Sequence, residues 1–202
     1  MTRTPMTRTP MTRTPMTRTR MTRTRLATFA LVAGTALAAA GPGIAQEGEI
    51  QTYETPILGT EGSEIGTLSL RGGPNGVVGT IIIEEGMLPT GWHAAHFHQV
   101  ADCSDAPDFQ ASQGHISAQG RMHGHLHPQG PEAGDLSSIY VGENGAAAAE
   151  FVTALLTFDG EQALFDEDGS ALIIHADRDD QVTQPIGGAG DRIGCAVIQR
   201  DS

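Results

Sequence analysis

Eight short runs of strand-forming residues, separated by turn residues, constrain the fold of this chain more than any other sequence feature. The runs are β-branched or alternate apolar with polar residues, and no long stretch between them has helical periodicity. Clusters of turn-forming residues at 72–76, 143–145 and 166–169 punctuate them. The runs are 50–55, 64–71, 77–84, 93–100, 136–141, 148–156, 171–176 and 193–199. The pattern predicts an all-β, eight-stranded antiparallel barrel or sandwich.

One connection, residues 101–134, is too long for a hairpin loop, and loops of that length are usually functional. It lies in a stretch, 91–136, that holds seven of the eight histidines. In the strand before the loop, His96 and His98 are two residues apart, so both side chains should project from one face. Paired neutral imidazoles suit copper, zinc or iron. The stretch therefore predicts a metal site.

Four blocks of the sequence resemble, in order, the signatures of the copper–zinc superoxide dismutases. The first is Gly-Trp-His-Ala-Ala-His-Phe-His at 91–98, followed by Cys103, and the others are 114–136, 172–180 and 187–198. The resemblance implies a Greek-key β-barrel with long metal-binding loops. It also implies an enzyme that converts superoxide to oxygen and hydrogen peroxide, with copper and zinc as cofactors. Copper can change oxidation state for this reaction, whereas zinc cannot.

The same resemblance implies a role for each site residue. His115 would be catalytic, because it would bridge the two metals and deliver a proton to the product. The implied copper ligands are His96, His98, His115 and His175. The implied zinc ligands other than the fourth are His115, His123 and Asp135.

Three further residues would support this site. His93 would orient it by hydrogen bonding, and Asp179 would link a copper histidine to a zinc histidine, although Asp177 and Asp180 lie close by. Arg192, in a Gly-x-Arg-x-x-Cys pattern, would be the second catalytic residue. Its guanidinium would attract the small superoxide anion.

Glu132 is the one departure from the family pattern, because bacterial relatives have a zinc-binding histidine three residues before Asp135. A glutamate oxygen can bind zinc at a similar distance, so we expect Glu132 to be the fourth zinc ligand. Two alternatives stay open. His125 or His127 could supply the fourth ligand, or the zinc site could be weak or empty.

The N-terminal part of the chain is predicted not to fold. Residues 1–25 repeat a five-residue unit, which leaves Met1, Met16 or Met21 as the true start. A basic segment and the apolar run 26–40 then indicate a secretory signal peptide cleaved near Ala45, although a membrane anchor is the alternative. The sequence thus predicts a leader, 1–45, and one domain, 46–202, that is periplasmic or secreted.

The cysteine content bears on the compartment of the domain, and its charge bears on its partners. Cys103 and Cys195 are the only cysteines, and an even number in an exported chain favours a disulfide. After the leader, five arginines and 24 acidic residues give a formal charge of −19. This charge argues against nucleic acid and anionic membranes as partners, whereas the resemblance implies superoxide as the partner. The resemblance leaves a homodimer open.

Two other functions could use a similar histidine pattern. A cupin-type oxygenase or isomerase has a His-x-His pair on a barrel strand, but it needs a nearby glutamate that residues 99–104 lack. A non-enzymatic periplasmic copper- or zinc-binding protein would explain the extra His125 and His127. It would leave Arg192 and the two cysteines without a purpose.

Overall fold

The computed structural model describes residues 50–117, 120–160 and 162–200, and within these ranges it contains nine β-strands. The strands are β1 (Gln51–Gly59), β2 (Glu64–Gly73), β3 (Gly76–Ile83), β4 (Gly91–His93), β5 (Ala95–His98), β6 (Ile139–Val141), β7 (Ala147–Thr153), β8 (Ser170–His175) and β9 (Arg192–Ile198). A 3-10 turn, Gln110–Ser112, is the only helical element there. No helix in the described part of the chain could span a membrane. The all-β prediction is confirmed, whereas the predicted leader lies outside the described residues.

Seven of the strands form one curled antiparallel sheet in the order β5-β8-β9-β1-β2-β3-β7. Hairpins join β1, β2 and β3, and β9 returns to pair with β1, which is a Greek-key arrangement. β4 and β6 pair in a second, two-stranded sheet. β5 and β7 are the two edge strands of the large sheet. In the chain β4 precedes β5 and β6 precedes β7, so each strand of the small sheet leads into one edge of the large sheet.

The fourth predicted strand is the main departure from the sequence-based assignment. The run 93–100 is divided between β4 and β5 at Ala94, so there are nine strands and not eight. The Ala94 amide donates to the Asp177 carbonyl at 2.8 Å, and the Ala94 carbonyl accepts from the His175 amide at 2.9 Å. The backbone of Ala94 is therefore bonded at the end of β8 while the chain passes from one sheet to the other.

Burial alternates along β1, β2 and β3, as expected for strands with one face on a core. β5 and β8 differ because every residue in them is buried. One face of β8, with Leu172 and Ile174, packs in the main core together with Phe97 of β5. The opposite face, with Ala171 and Ile173, packs against Phe109 and the two cysteines. The long loop therefore covers the outer face of this part of the sheet.

The strand register places His96 and His98 on that outer face. His96 is paired with Ile173 and His98 with Ala171, while Phe97 lies on the core side. The expected common direction of His96 and His98 thus follows from the alternation of side chains along β5.

Candidate metal centre

Two segments of the long loop add to the free edge of β5. The Phe97 amide donates to the Gly134 carbonyl at 2.8 Å, and the Phe97 carbonyl accepts from the Ile116 amide at 2.9 Å. A Cβ on Gly134 would lie 2.2 Å from the Phe97 oxygen, so this close approach requires glycine. The middle and the end of the loop are thereby fixed next to the strand, which brings His115 and Asp135 to the β5 histidines.

Four buried histidines converge beside β5. His96 and His98 come from the strand itself, His115 from the middle of the long loop and His175 from the end of β8. Their ligand nitrogens lie within 4.8 Å of one another. The structure thus brings together the four predicted copper ligands, which are far apart in the sequence.

Each of these histidines uses one ring nitrogen within the protein. His96 Nε2 contacts Asp179 Oδ2 at 2.8 Å, and His98 Nδ1 contacts the Gln113 carbonyl at 2.7 Å. His175 Nδ1 contacts the Gly190 carbonyl at 3.1 Å. The nitrogens that remain are buried without a hydrogen-bond partner, and they are His96 Nδ1, His98 Nε2, His115 Nε2 and His175 Nε2. Buried polar atoms rarely lack partners, and four imidazole nitrogens suit copper, so this group fits a copper site.

A second cluster lies on the other side of His115. His115 Nδ1 is 2.9 Å from Glu132 Oε2 and 3.3 Å from Asp135 Oδ1. His123 Nδ1 is 2.7 Å from the same Asp135 oxygen. The other oxygen, Asp135 Oδ2, accepts from the amides of Gly124 at 2.7 Å and Glu132 at 3.0 Å. Two imidazole nitrogens and two carboxylates suit zinc.

Asp179 connects the two clusters from behind. Its Oδ2 is 2.8 Å from His96 Nε2, and its Oδ1 is 3.0 Å from His123 Nε2. The carboxylate is buried, so it fixes both rings through the nitrogens that face away from the clusters. This is the arrangement expected for Asp179; in contrast, Asp180 accepts hydrogen bonds from the exposed turn 182–183.

The remaining loop and strand histidines lie outside both clusters. His93 is buried, with Nδ1 2.9 Å from the His175 carbonyl and Nε2 2.8 Å from the Pro89 carbonyl. His125 is exposed and contacts Gln181, and His127 Nδ1 accepts from the Gln129 amide at 3.2 Å. Glu132, and neither His125 nor His127, thus stands among the predicted zinc ligands.

Arg192 is held by the loop segment that follows Cys103. Its guanidinium donates to the Phe109 carbonyl at 2.5 Å, to Ser112 Oγ at 2.9 Å and to the Gln113 carbonyl at 2.8 Å. The Gln113 oxygen also contacts His98 Nδ1, so one backbone carbonyl joins Arg192 to a predicted copper ligand. Residue 192 is also paired with His175 across β8 and β9.

A disulfide between Cys103 and Cys195 confirms the predicted pairing and ties this loop to β9. Beside it, a groove of about 570 Å³ is lined by His175 and Arg192. Two exposed acids, Asp108 and Asp191, also line the groove. The guanidinium is therefore a local positive charge on an otherwise acidic approach to the histidines.

The electrostatics of the two clusters differ. Burial lowers the pKa of His96 to about 4 and that of His175 to about 3, and burial also lowers the pKa of His98. Burial acts in the same direction on His123, but Asp135 and Asp179 outweigh it and raise its pKa to about 10. The pKa of His115 is likewise raised, against burial, by Asp135 and Glu132. His96, His98 and His175 thus favour the neutral form, whereas the carboxylates of the second cluster favour the protonated form of His115 and His123.

The residues that orient Arg192 and Asp179 were not predicted from the sequence. Phe109 and Gln113 act through backbone carbonyls, which carry no residue-type signal. Ser112 Oγ donates to the Phe109 carbonyl at 2.8 Å while it accepts from Arg192, and Gln181 contacts Asp179. For Ser112 and Gln181, the only available signal was a polar residue within a few positions of a predicted site residue, His115 or Asp179.

Comparisons with known proteins agree with this geometry. Residues 65–198 match the family model for copper/zinc superoxide dismutase. A Cu-Zn superoxide dismutase of Caulobacter vibrioides is 41% identical over 143 residues, 69% of this chain and 80% of the relative. One from Aquifex aeolicus is 37% identical over 145 residues, 71% of this chain and 84% of the relative.

The fold is likewise similar to that of a solved relative. A crystal structure of a superoxide dismutase-like protein from Bacillus subtilis superposes with a TM-score of 0.69 at 27% identity and covers 74% of this chain and 99% of the other. The sequence matches are to copper–zinc superoxide dismutases. The chain is therefore an enzyme of this type, and its cofactors are copper and zinc. The chain belongs to the copper/zinc superoxide dismutase family.

Proposed function

We propose that this chain dismutates superoxide at a copper held by His96, His98, His115 and His175. The observation that carries the proposal is the set of four buried ring nitrogens that face one another without protein partners. Their other nitrogens are anchored to the fold, which fixes the direction of each ring. Copper supplies the one-electron oxidation and reduction when it is bound.

We propose that His115 bridges the copper site to a zinc site. Among the described residues, its ring is the one shared by the four-histidine cluster and the cluster with two carboxylates. Nε2 faces the first cluster, while Nδ1 lies beside Glu132 and Asp135. Nε2 can therefore take up and release a proton next to the substrate while the second cluster keeps the ring in place.

Glu132 is the proposed fourth zinc ligand, with His115, His123 and Asp135. Its Oε2 lies 2.9 Å from His115 Nδ1 and its side chain is largely buried, whereas His125 is exposed on the loop. A carboxylate in place of a histidine adds a negative charge and makes the site richer in oxygen. The site should bind zinc more weakly than one with a histidine at this position, and it should discriminate less against other divalent ions.

Arg192 is the proposed binding group for superoxide. Three hydrogen bonds hold its guanidinium at the groove that His175 also lines. A fixed positive charge attracts a small anion and offers it paired donors. This local charge acts against the overall acidity of the domain, which repels the substrate.

The mature domain, residues 46–202, is proposed to act in the periplasm or outside the cell after loss of residues 1–45. The disulfide supports this location, because such bonds persist in oxidising compartments. Edman sequencing of the exported protein tests the proposal. A first residue near Gln46 is expected, and retention of the segment 26–40 would contradict cleavage.

The proposed activity is tested by measuring superoxide consumption and metal content on the same purified sample. Activity should rise in proportion to bound copper, and His175→Ala should abolish it by removing a ligand. His127→Ala is the matched control, because it removes a histidine outside the four-histidine cluster. A folded, copper-loaded protein that is no faster than free copper would instead indicate the alternative, a non-enzymatic copper- and zinc-binding protein.

A further inference from the structure

Gln181 makes more hydrogen bonds around the second cluster than its place in the sequence suggests, two residues beyond Asp179. We infer that Gln181 is a positioning residue that locks the zinc-site loop to Asp179 and so holds His123 in place for its metal. The inference rests on the proposed zinc site and adds a residue that is not a ligand.

On one side, Gln181 holds the carboxylate. Its backbone N–H donates to Asp179 Oδ1 at 2.6 Å, and its side-chain Nε2 donates to Asp179 Oδ2 at 2.7 Å. Nε2 also donates to the Leu136 carbonyl at 3.1 Å. The two Asp179 oxygens are those that contact His96 and His123, so Gln181 restrains the carboxylate while it orients both rings.

On the other side, Gln181 holds the loop just after His123. Its Oε1 accepts from the His125 amide at 3.1 Å and from His125 Nδ1 at 2.8 Å. Its backbone carbonyl accepts from the Leu126 amide at 3.1 Å. The backbone N–H, the carbonyl, both Nε2 hydrogens and both Oε1 lone pairs are thus engaged.

The backbone geometry is specific to this contact. Gln181 has φ 64°, in the left-handed region that a non-glycine residue rarely adopts. A Cβ on Gly124 would lie 2.0 Å from the Gln181 oxygen, so the loop can approach only because that residue is glycine. Gln181 thus combines a strained backbone conformation with six hydrogen bonds. This combination indicates that the surrounding structure holds Gln181 in place beside the second cluster.

The side-chain amide is the group to change, because a carboxylate of the same shape cannot donate. Gln181→Glu would place a negative oxygen where Nε2 now meets Asp179 Oδ2, so attraction would become repulsion. Gln181→Met removes the side-chain hydrogen bonds without adding charge. Gln199→Glu is the matched control, since it makes the same charge change on an exposed residue after β9.

The zinc affinity of the copper-loaded protein is measured by competition with a chelator, well below the melting temperature. The visible spectrum of Co²⁺ in the same site reports its ligand geometry independently of activity. Gln181→Glu should weaken zinc binding about 10- to 100-fold and alter the Co²⁺ spectrum, and Gln181→Met should weaken it about tenfold. Gln199→Glu should match wild type.

Wild-type zinc affinity and an unchanged Co²⁺ spectrum in Gln181→Glu would overturn the positioning role. If Gln181→Glu does not fold, wild-type affinity in Gln181→Met overturns it instead. His123→Ala distinguishes a wrong role for Gln181 from a wrong zinc site. It removes a proposed ligand, so it should abolish zinc binding altogether. Zinc binding that survives His123→Ala would refute the zinc site itself.

Discussion

Acid should destabilise the metal-free domain through its buried copper-site histidines. In the folded state the pKa of His96 is about 4 and that of His175 about 3, against 6.5 for an ordinary histidine. Between pH 7 and 5 the unfolded chain therefore binds protons at these positions while the folded chain does not. Protons then favour unfolding, so stability is fully present above the ordinary pKa and falls as the pH is lowered.

The expected size of the effect follows from these values. Each of the two histidines should lower the free energy of unfolding by about 2 kcal/mol between pH 7 and 5. His123 acts in the opposite direction, because its raised pKa of about 10 keeps it protonated in the fold. It should return about 1 kcal/mol over the same range, so these three histidines together should lower the free energy of unfolding by about 3 kcal/mol. The lowered pKa of His98 should add to this loss, and the raised pKa of His115 should reduce it.

Urea denaturation of the metal-free protein at several pH values measures this loss directly. His127→Gln is the control, because it removes a histidine outside both clusters. Copper-loaded protein should lose at least as much stability over this range, because metal binding keeps the folded imidazoles unprotonated while the unfolded chain still takes up protons. A free energy of unfolding that stays constant between pH 7 and 5 would contradict the lowered pKa values of His96 and His175.

Three further predictions concern the substrate, the second metal and the disulfide. Arg192→Ala should slow superoxide consumption about tenfold while copper stays bound, and Asp191→Asn should raise the rate at low salt, because electrostatic attraction controls anion approach. Glu132→His should tighten zinc binding about tenfold in a competition assay, because it replaces an oxygen ligand by nitrogen. Replacing Cys103 and Cys195 by serine should lower the free energy of unfolding by about 4–5 kcal/mol in a denaturant titration, as the chain-entropy model gives for a separation of 92 residues.

Each of these three predictions has an outcome that contradicts it. An Arg192→Ala enzyme as fast as wild type at low and high salt would remove the steering role. Full zinc occupancy in Glu132→Ala, lost only when His125 or His127 is also removed, would show that a loop histidine is the fourth ligand. An unchanged unfolding midpoint in the cysteine variant would exclude a stabilising role for the bridge.

The strands and the pairing of His96 with His98 could be predicted from local patterns, whereas the other metal-site side chains were predicted from the resemblance to a known family. Alternation in β5 alone indicates that His96 and His98 share a face, and turn residues mark most strand ends. The division of the fourth predicted strand at Ala94 was not predictable in this way. It depends on backbone bonds to residues near the end of β8, which are distant in the sequence.

The support for the site was harder to predict than the site itself. Arg192 is held partly by the carbonyls of Phe109 and Gln113, and any residue type could supply those oxygens. Gln181 depends on a backbone conformation that glutamine rarely adopts, so the residue type alone gives no indication of its contacts. Such roles follow from the close packing of two loops, which no short-range pattern encodes.

The most direct test of the account is a crystal structure of the metal-loaded protein with anomalous diffraction at the copper and zinc absorption edges. The predicted result is one metal on each side of the His115 ring. Copper should be bound by His96 Nδ1 and by Nε2 of His98, His115 and His175, and zinc by Nδ1 of His115 and His123 with Asp135 and Glu132. A copper site that does not include His115, or zinc bound away from it, would contradict the shared-histidine centre.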